Sequence, residues 1–429
     1  MTPTSRSNRG GRRREAGAGP TALGHLTICD LSGQLAGAGA TRYLAAFGAR
    51  VIRVEDPVRQ GRWDIIRGVM PHVDERRGIE LGGGFNNHNV EKLGVTINLR
   101  SERGKDLLRR LVEVSDVVTE NFAAGVMARM GFSYEDLRSI REDIIYVSNS
   151  GFGHSGPYST YKTFGPVVQA ACGLTFGVGA PDAAPAGWGF SYMDHMGANL
   201  MVVALLAAVA HRNRTGEGQW VDMSCTEAGL GLTGPDLLDY TVNDRPLRRP
   251  GRPDSNHSDQ PPMAPHGIYP TCEEDRWVAI ACRDDRDWAA FAGVCGEPWV
   301  AEPGYTTVAG RLAGEADIDR YVAGWTSGRS RRAVAGALSA AGVPAAAVAL
   351  PEDRIDHDAD SDAWGLYPLA HHPEIGSVRV DGVPAHLSET DWHIERGAPL
   401  LGQHNREVFC ELIGLGEDEF SALAREGVF

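Results

Sequence analysis

Leu26-Thr-Ile-Cys-Asp-Leu31 begins the part of the sequence that decides the fold, and Gly33-Gln-Leu-Ala-Gly-Ala-Gly39 and Val51-Ile-Arg-Val-Glu55 follow it. The first and last of these segments are short and apolar, as buried strands are. The segment between them is typical of a glycine turn that opens a helix, and Gly48 closes that helix. A strand, a glycine turn, a helix and a second strand in this order predict a Rossmann-like domain.

The glycine turn lacks a complete dinucleotide-binding fingerprint. Gly37-Ala-Gly39-Ala-Thr-Arg42 has arginine where the pattern G-x-G-x-x-G requires its third glycine. The third glycine allows the helix to pack closely on the strand, and an arginine side chain would crowd that place. We therefore do not expect an NAD-dependent oxidoreductase.

Strands and helices continue to alternate after this opening. Ser101 caps a helix whose apolar residues at 107, 108, 111 and 112 share one side. Short apolar segments at 116–120 and 144–148 predict two more strands. Such alternation predicts a parallel sheet with helices on both faces. The expected fold class is therefore α/β, with a large Rossmann-like domain.

Changes in composition divide the chain. Its beginning is rich in Arg, Gly and Ser without an apolar core, which indicates a disordered tail and not a secretory signal. A polar segment with several arginines and prolines ends near residue 265 and indicates a linker. The expected divisions are a tail at 1–22, a large domain at 23–225, a linker at 226–265, a small α+β domain at 266–350 and a segment with C-terminal helices at 351–429.

The composition argues against several classes of partner. The net charge is 42 − 56 = −14, so the surface should repel nucleic acid and anionic membranes. The seven cysteines form no C-x-x-C pair, which indicates neither a zinc site nor a disulfide framework and fits a reducing cytoplasm. The pair His371-His372 has no metal-binding spacing, so we expect no metal. The apolar run at 200–210, broken by Asn199, is too short to span a membrane.

The segment Trp188-Gly-Phe-Ser-Tyr-Met-Asp-His-Met-Gly197 places one acid, Asp194, just before that apolar run, which predicts a buried helix. The start of a helix supplies N–H donors and the positive end of the helix dipole. Both keep a carboxylate ionised and stabilise a developing oxyanion. Asp194 is therefore a candidate nucleophile, and the alternative is that it serves only as the helix N-cap.

Several separate segments, in their order and spacing, resemble the family III CoA-transferases, a group that includes formyl-CoA transferase, carnitine CoA-transferase and 2-methylacyl-CoA racemase. The resemblance extends from about Leu26 to the end of the chain. The matching segments are Leu35-Ala-Gly37, Phe47-Gly-Ala-Arg-Val-Ile-Arg-Val-Glu55, Glu120-Asn-Phe122, Arg129-Met-Gly131, Tyr134-Glu-Asp-Leu137, Tyr146-Val-Ser148, Gly151-Phe-Gly153, Gly156-Pro157, Gln169-Ala170, Asp194, Arg214-Thr-Gly-Glu-Gly-Gln219 and Pro399-Leu-Leu-Gly402.

The resemblance implies an arrangement that the sequence pattern alone does not predict. Members of the family are dimers whose two chains are threaded through each other like linked rings. Each chain has a large Rossmann-like domain, a small domain and long linkers, and its C-terminal helices return to the large domain. We therefore expect an interlocked homodimer, with a paralogous second subunit as the alternative.

The resemblance also implies a set of site residues. Asp194 matches the nucleophilic aspartate of the family. Lys162 matches a lysine that contacts CoA phosphates, Arg129 matches a CoA-contacting arginine, and Arg53 lies on the strand that often ends in a basic CoA contact. Residues within the matching motifs that are expected to bind CoA are Leu35, Ala36, Asn121 and Phe122. The CoA thioester is a substrate, and no permanently bound cofactor is expected.

The chain departs from the family at positions near the expected site. Racemases have a histidine base where this chain has Phe164, and a phenyl ring cannot exchange a proton. Formyl-CoA transferase has Tyr-Glu at the positions of Phe164 and Gly165, and glutamine at Leu35. Its glycine-rich loop is replaced by Pro261-Pro-Met-Ala-Pro-His266. The loss of these polar groups disfavours oxalate and formate and suggests a larger or more apolar acid.

The sequence therefore predicts a CoA-transferase that moves CoA from an acyl-CoA donor to a carboxylic acid through an anhydride and a thioester on Asp194. The alternatives are an acyl-CoA racemase or an intramolecular CoA-transfer isomerase of the same family, or a non-catalytic CoA-binding relative. The roles of His195, His154 and His266 stay open.

Overall fold

The structure is a computed structural model that describes residues 21–180 and 183–429. Nearly all of the tail expected at residues 1–22 lies outside the described residues. The described chain divides into two compact units. The large unit contains residues 21–176, 186–245 and 359–429, and the small unit contains residues 177–180, 183–185 and 246–358. The finer division into domains, linker and final segment stays a prediction.

A parallel sheet of six strands lies at the centre of the large unit, which confirms the expected parallel α/β fold. Its strands are β1 (Thr27–Asp30), β2 (Arg50–Glu55), β3 (Leu93–Thr96), β4 (Val117–Glu120), β5 (Ile145–Ser150) and β6 (Trp220–Ser224). They lie in the order β3-β2-β1-β4-β5-β6, and every neighbouring pair is parallel. The chain therefore adds strands in one direction from β1 to β3 and in the other direction from β4 to β6.

The helices of the large unit cover both faces of this sheet. They are α1 (Ala36–Ala46), α2 (Gly83–His88), α3 (Glu102–Glu113), α4 (Val126–Met130), α5 (Tyr134–Ile140), α6 (Gly165–Ala171), α7 (Tyr192–Thr215), α8 (Cys225–Leu230), α9 (Pro235–Asn243), and, numbered through the whole chain, α15 (Ala359–Trp364) and α16 (Glu417–Arg425). The unit also contains a short antiparallel pair, β12 (Leu369–His372) and β13 (Gly376–Arg379), 3-10 helices at Ile65–Gly68 and Val73–Glu75, and a π-helical turn at Glu407–Leu412.

Alternate residues of each central strand enter two separate cores, as the period of two along a strand requires. In β1, Ile28 packs with α1 and α7 on one face, whereas Cys29 packs with α3 on the other. Ser101 caps α3 by accepting a hydrogen bond from the N–H of Gly104, and the expected apolar side of that helix is buried. Burial on both faces explains why these strands are continuously apolar.

Arg42 occupies the position of the missing third glycine without crowding the strand. Its side chain is 5% exposed, and Nη1 donates a hydrogen bond of 3.0 Å to the carbonyl oxygen of Asp381. Nη2 donates to the carbonyl oxygen of Gly382. The arginine therefore binds α1 to the C-terminal part of the large unit, at a position where a dinucleotide-binding helix has no side chain.

Helix α7 is longer than the apolar run that predicted it. It has 24 residues, and by length and composition alone it could cross a membrane. The length of the apolar run alone therefore does not decide against a membrane span. Eight of its residues, Met201 and Leu205 among them, are buried, and those two pack with Ile28 of β1. One side of α7 thus belongs to the core of the large unit.

The small unit is built on an antiparallel sheet. Its strands are β7 (Ser258–Asp259) and β8 (Pro262–Met263), which form a pair, and β9 (His266–Pro270), β10 (Trp277–Ala281) and β11 (Ala345–Ala347), which lie in the order β11-β10-β9. Its helices are α10 (Asp285–Cys295), α11 (Val308–Ala313), α12 (Glu315–Thr326), α13 (Arg331–Ala340) and α14 (Pro351–Ile355). Buried Val278 and Ile280 of β10 pack on Phe291, Val322 and Leu338.

Candidate active site

A cavity of about 320 Å³ lies at the carboxyl ends of β1, β4 and β5 in the large unit. The strand order reverses between β1 and β4, and open α/β sheets bind ligands outside the carboxyl ends of strands at such a switch point. The cavity is lined by Gln34, Leu35 and Ala36 after β1, Asn121, Phe122 and Ala123 after β4, Asn149, Ser150 and Gly151 at the end of β5, and Trp63, Tyr161, Lys162, Thr163, Phe164, Val168, Asp194 and Cys225.

Asp194 lies in the first turn of α7 and lines this cavity. The N-cap of α7 is Ser191, which has φ = 48°, so Asp194 is the third residue of the helix and the alternative that it is the N-cap is wrong. Burial raises the pKa of Asp194 to about 6, and hydrogen bonds from the Ser191 hydroxyl and the Gly165 N–H oppose that shift. No cation contributes to the shift, so the carboxylate is stabilised by neutral donors alone.

Gly165, the first residue of α6, lies against this carboxylate. A Cβ atom on Gly165 would lie 2.7 Å from Oδ2 and 2.8 Å from Cγ of Asp194. Only glycine lets the α6 backbone approach Asp194 this closely and donate its N–H. From the sequence, Gly165 was only a departure from formyl-CoA transferase, and its role depends on the approach of two helices that are remote in sequence.

Cys225, the first residue of α8, is a buried polar residue that lines the cavity with Asp194. Its Sγ lies 2.9 Å from Oδ1 of Asn149 and donates a hydrogen bond to it. Burial, with the nearby charge of Asp194, raises the pKa of Cys225 to about 12, so the thiol stays neutral. Neutral thiols are poor nucleophiles. The sequence did not identify Cys225 as a lining residue, and a lone cysteine has no spacing signal that could have done so.

Two side chains hold the loop between β1 and α1 at the edge of the cavity. Oδ1 of Asn121 accepts a hydrogen bond of 2.8 Å from the Gly33 N–H, and its Nδ2 donates one of 3.0 Å to the Gly33 carbonyl oxygen. Oδ2 of Asp64 accepts a hydrogen bond of 3.0 Å from the N–H of Gln34, which has φ = 56°. The loop thereby presents Leu35 and Ala36 to the cavity.

Arg53 lies under this loop and not in the cavity. Its side chain is fully buried, with Nη2 2.5 Å from Oδ2 of Asp64 and Nη1 3.0 Å from the carbonyl oxygen of Ser32. It also donates a hydrogen bond of 3.1 Å to Oδ1 of Asn89. In this structure the arginine supports the loop from inside the protein, with its side chain fully buried, and its expected contact with CoA stays a prediction.

The structure brings most of the other expected residues together. Asp194, Lys162, Leu35, Ala36, Asn121 and Phe122 all line the cavity. Arg129 lies exposed on α4 and does not line it.

A second cavity, of about 470 Å³, shares Trp63 and Phe122 with the first. The two rings lie 5.5 Å apart, centroid to centroid. Two exposed arginines, Arg59 and Arg100, line this second cavity. The sequence did not single them out, because both lie in loops without a recognisable motif.

The three histidines whose roles were open lie outside the first cavity. The ring of His195 lies 5.7 Å from that of His88, and burial lowers the pKa of His195. Nδ1 of His154 lies 3.0 Å from Oδ1 of Asp222. His266 belongs to the small unit, where its Nδ1 contacts the carbonyl oxygen of Asn256. Within residues 21–180 and 183–429, no group of three or more His, Cys, Asp or Glu side chains is arranged to hold a metal ion.

Comparison with known proteins identifies the family. The model of CoA-transferase family III matches residues 23–405. The chain belongs to CoA-transferase family III. This confirms the resemblance drawn from the separate motifs, and the chain is therefore an enzyme of the CoA-transferase class, with CoA thioesters as substrates.

Named relatives match the chain over nearly its whole length. Succinyl-CoA–D-citramalate CoA-transferase of Chloroflexus aurantiacus is 31% identical over 410 residues, which are 95% of this chain and 98% of that protein. Formyl-CoA:oxalate CoA-transferase of Streptomyces coelicolor is 30% identical over 424 residues, 95% of this chain and 99% of that protein. Among solved structures, a CAIB/BAIF family protein from Brucella suis has a TM-score of 0.82 at 28% identity and covers 91% of this chain and 99% of that one.

Proposed function

We propose that this family III CoA-transferase moves CoA between two carboxylic acids through covalent intermediates on Asp194. One observation carries the proposal. The only carboxylate among the described residues that line the switch-point cavity is that of Asp194, and neutral donors alone compensate its burial.

In the first half of the reaction, an oxygen of Asp194 attacks the carbonyl carbon of the acyl-CoA, and the carbon–sulfur bond breaks. This gives a mixed anhydride and CoA thiolate. The thiolate then attacks the aspartyl carbonyl carbon, the bond to the bridging oxygen breaks, and the donor acid leaves as its carboxylate. CoA is now held as a thioester on Asp194.

The second half runs the same steps in reverse with the acceptor. The acceptor carboxylate attacks the aspartyl thioester and releases CoA thiolate. The thiolate attacks the acceptor side of the new anhydride, which forms the product acyl-CoA and frees Asp194. No net proton is taken up or released, so the mechanism needs no acid–base residue.

The environment of Asp194 suits this chemistry. With a pKa of about 6, the carboxylate is ionised near neutral pH but is more basic than a solvated aspartate, and therefore a stronger nucleophile. The Gly165 N–H and the first turn of α7 supply donors where negative charge develops on oxygen.

The basic residues around the two cavities suit the phosphates of CoA. We assign Lys162 to phosphate contact, as the family resemblance implies, and Asn121 and Phe122 to the wall between CoA and the reacting centre. Arg59 and Arg100 of the second cavity take the place that Arg53 and Arg129 were expected to fill. Arginine binds phosphate through paired N–H donors even in a protein of net negative charge.

The racemase alternative is weakened by the residues around Asp194. Racemisation needs a base on each side of the α-carbon. Phe164 lines the cavity at the position of the family's histidine base, and none of the described cavity-lining residues is a histidine. The proposal also includes an interlocked homodimer, with a paralogous subunit as the alternative, and a cytoplasmic location, both on the strength of the family resemblance.

Mass spectrometry of quenched reactions tests the proposal. The enzyme is incubated with an acyl-CoA, quenched in acid, and searched for a CoA thioester on the peptide that contains Asp194, trapped with hydroxylamine or borohydride. We expect the adduct in the wild type and none in Asp194→Ala, with CoA binding retained in the variant. Full transferase activity in Asp194→Ala would refute the proposal, and exchange of the α-proton without CoA transfer would favour the racemase.

A further inference from the structure

Ser150 ends β5 and lines the cavity that contains Asp194. The residue is 6% exposed, and its Oγ is a buried atom with no hydrogen-bond partner among residues 21–180 and 183–429. Seven other residues in the described part of the chain have a buried side-chain nitrogen or oxygen without a partner, and none of them lines this cavity. A buried hydroxyl without a partner costs free energy, so its place in the wall of the site needs a physical reason.

The backbone around Ser150 is fixed, although its hydroxyl is not bonded. Ser150 is paired with Ser224 where β5 lies beside β6. The carbonyl oxygen of the next residue, Gly151, accepts hydrogen bonds of 3.0 Å from the N–H and 2.7 Å from the hydroxyl of Thr226. A serine hydroxyl has three staggered positions about the Cα–Cβ bond, so it can turn toward a ligand oxygen without any movement of the strand. Ser150 therefore offers a donor on a rigid support.

The donors that touch Asp194 serve the oxygens of that side chain. The Gly165 N–H and the Ser191 hydroxyl both donate to its carboxylate. In the proposed reaction they can stabilise negative charge on the aspartyl oxygens. The carbonyl oxygen of the acyl group comes from the substrate, and it needs a donor of its own while Asp194 attacks.

Other polar side chains line the cavity without the same constraint. Gln34 and Thr163 are partly exposed, so water can bond them. Oδ1 of Asn149 already accepts a hydrogen bond from the Cys225 thiol. Ser150 differs from these residues because it is both buried and without a partner among the described residues. It is therefore the side chain for which a bond to a ligand changes the free energy most.

We propose that the Ser150 hydroxyl donates a hydrogen bond to the acyl carbonyl oxygen when Asp194 attacks the thioester. The proposal rests on the proposed function and adds a catalytic residue to it. As the bond from the Asp194 oxygen to the acyl carbon forms, the π electrons of the carbonyl group move to its oxygen. When the carbon–sulfur bond breaks, they return, and CoA leaves as the thiolate. The hydroxyl keeps its proton throughout and stabilises the oxyanion between the two events.

Two reactions of the same enzyme separate the acyl carbonyl from the aspartyl carbonyl. Formation of the Asp194–CoA thioester from an acyl-CoA requires attack on the acyl carbonyl carbon. Cleavage of the isolated thioester by hydroxylamine takes place at the aspartyl carbonyl carbon alone. The donor is whichever of succinyl-CoA, propionyl-CoA and 4-methylpentanoyl-CoA reacts fastest with the wild type, and quenched-flow mass spectrometry measures both rates. For Ser150→Ala we expect formation to slow about 100-fold and cleavage to change by less than about 3-fold.

Ser148 supplies the matched control, because it lies two residues earlier on the same face of β5. It is buried as well, but its Oγ accepts a hydrogen bond of 2.9 Å from Nε1 of Trp220. Ser148→Ala should therefore lower the melting temperature and leave both rates within about 3-fold of the wild type. Ser150→Ala should melt at the temperature of the wild type or above it, because it removes a buried polar group that has no partner in the described fold.

The outcomes separate this proposal from the proposed function. Formation of the thioester by Ser150→Ala within about 3-fold of the wild-type rate would overturn the role of Ser150 and leave the proposed function intact. Equal slowing of formation and cleavage would also overturn it, since the effect would then not belong to the acyl carbonyl. A slower variant that melts below the wild type would show that the hydroxyl is bonded within the assembled protein, which contradicts the proposal. No thioester from any of the three donors in the wild type, with CoA still bound, would refute the proposed function itself.

Discussion

The proposed catalytic role of Asp194 comes with a cost to the stability of the fold. Its carboxylate is partly buried, it has neutral donors only, and burial raises its pKa to about 6. Above that pH the folded protein must keep a charge that water would solvate better. The residue therefore destabilises the structure in its ionised form, and a neutral side chain of the same shape should remove that cost.

We predict that Asp194→Asn is more stable to unfolding than the wild type at pH 7. A carboxyl whose pKa rises on folding makes no difference to stability below its unfolded value of about 4 and destabilises the fold as pH rises through about 6. The gain should approach about 1–3 kcal/mol at pH 7 and vanish near pH 4. Urea unfolding at both pH values measures it, and a variant less stable than the wild type at pH 7 would contradict the argument.

Gly165 gives a second prediction at the scale of one residue. In Gly165→Ala the new methyl group would lie 2.7 Å from Oδ2 of Asp194, so the carboxylate must move. A displacement of this kind should lower kcat on the order of 100-fold, and we expect little change in CoA binding. Gly84→Ala is the control, since a Cβ there meets nothing within 4 Å. Equal losses of activity in both variants would show that the effect is not local.

At the scale of the element, the loop between β1 and α1 is held by charge buried beneath it. Arg53 joins Asp64, Glu55, Asn89 and the carbonyl oxygen of Ser32, and its side chain is fully buried. A second buried cation, Lys92, lies 3.3 Å from Oδ2 of Asp30. These groups compensate one another, so the removal of any one leaves an unpaired charge in the interior.

We predict that Arg53→Met lowers the free energy of unfolding by about 3–5 kcal/mol, because it leaves Asp64 buried without its cation, whereas Glu55 keeps its pair with Arg67. Arg129→Met is the matched control on an exposed helix surface, and its effect should lie within about 0.5 kcal/mol. Chemical denaturation of the two purified variants measures both values. A mild effect of Arg53→Met together with a large rise in the Kd for CoA would instead support the contact first expected for this residue.

At the scale of the whole molecule, the chain must bind an anionic ligand in spite of its own charge. A net charge of −14 repels CoA at long range, so binding depends on local cations. Arg59 and Arg100 are exposed in the cavity that adjoins the site through Trp63 and Phe122. We therefore propose that these two arginines supply CoA affinity that the net charge of the protein opposes.

We predict that Arg59→Gln and Arg100→Gln each raise the Kd for CoA about 5- to 10-fold, because each removes a charge-assisted bond to phosphate. The value of kcat at saturating donor should change by less than about 2-fold, since neither side chain lines the cavity that contains Asp194. Isothermal titration with CoA measures the Kd. Arg103→Gln, which removes a surface pair with Glu426, is the control and should leave the Kd unchanged. A fall in kcat without a change in Kd would contradict the assignment.

The sequence by itself determined the α/β class, because the strands are short, apolar and separated by capped helices. It also singled out Asp194, whose place before an apolar run is visible in one dimension and matches the family. The same pattern did not reveal that Arg53 is buried. A charged residue in an apolar strand can bind a ligand at the end of the strand or form an ion pair in the interior of the protein. The sequence pattern is the same in both cases.

Tertiary structure alone decided which residues surround Asp194. Phe164 and Gly165 come from one segment and Cys225 from another, both separate in sequence from Asp194, and their approach depends on how α6, α7 and α8 pack at the ends of the strands. Neither the raised pKa of Asp194 nor the shortage of cations around it can be inferred from local spacing. Both depend on all the residues around Asp194, and those residues come together only when the chain folds.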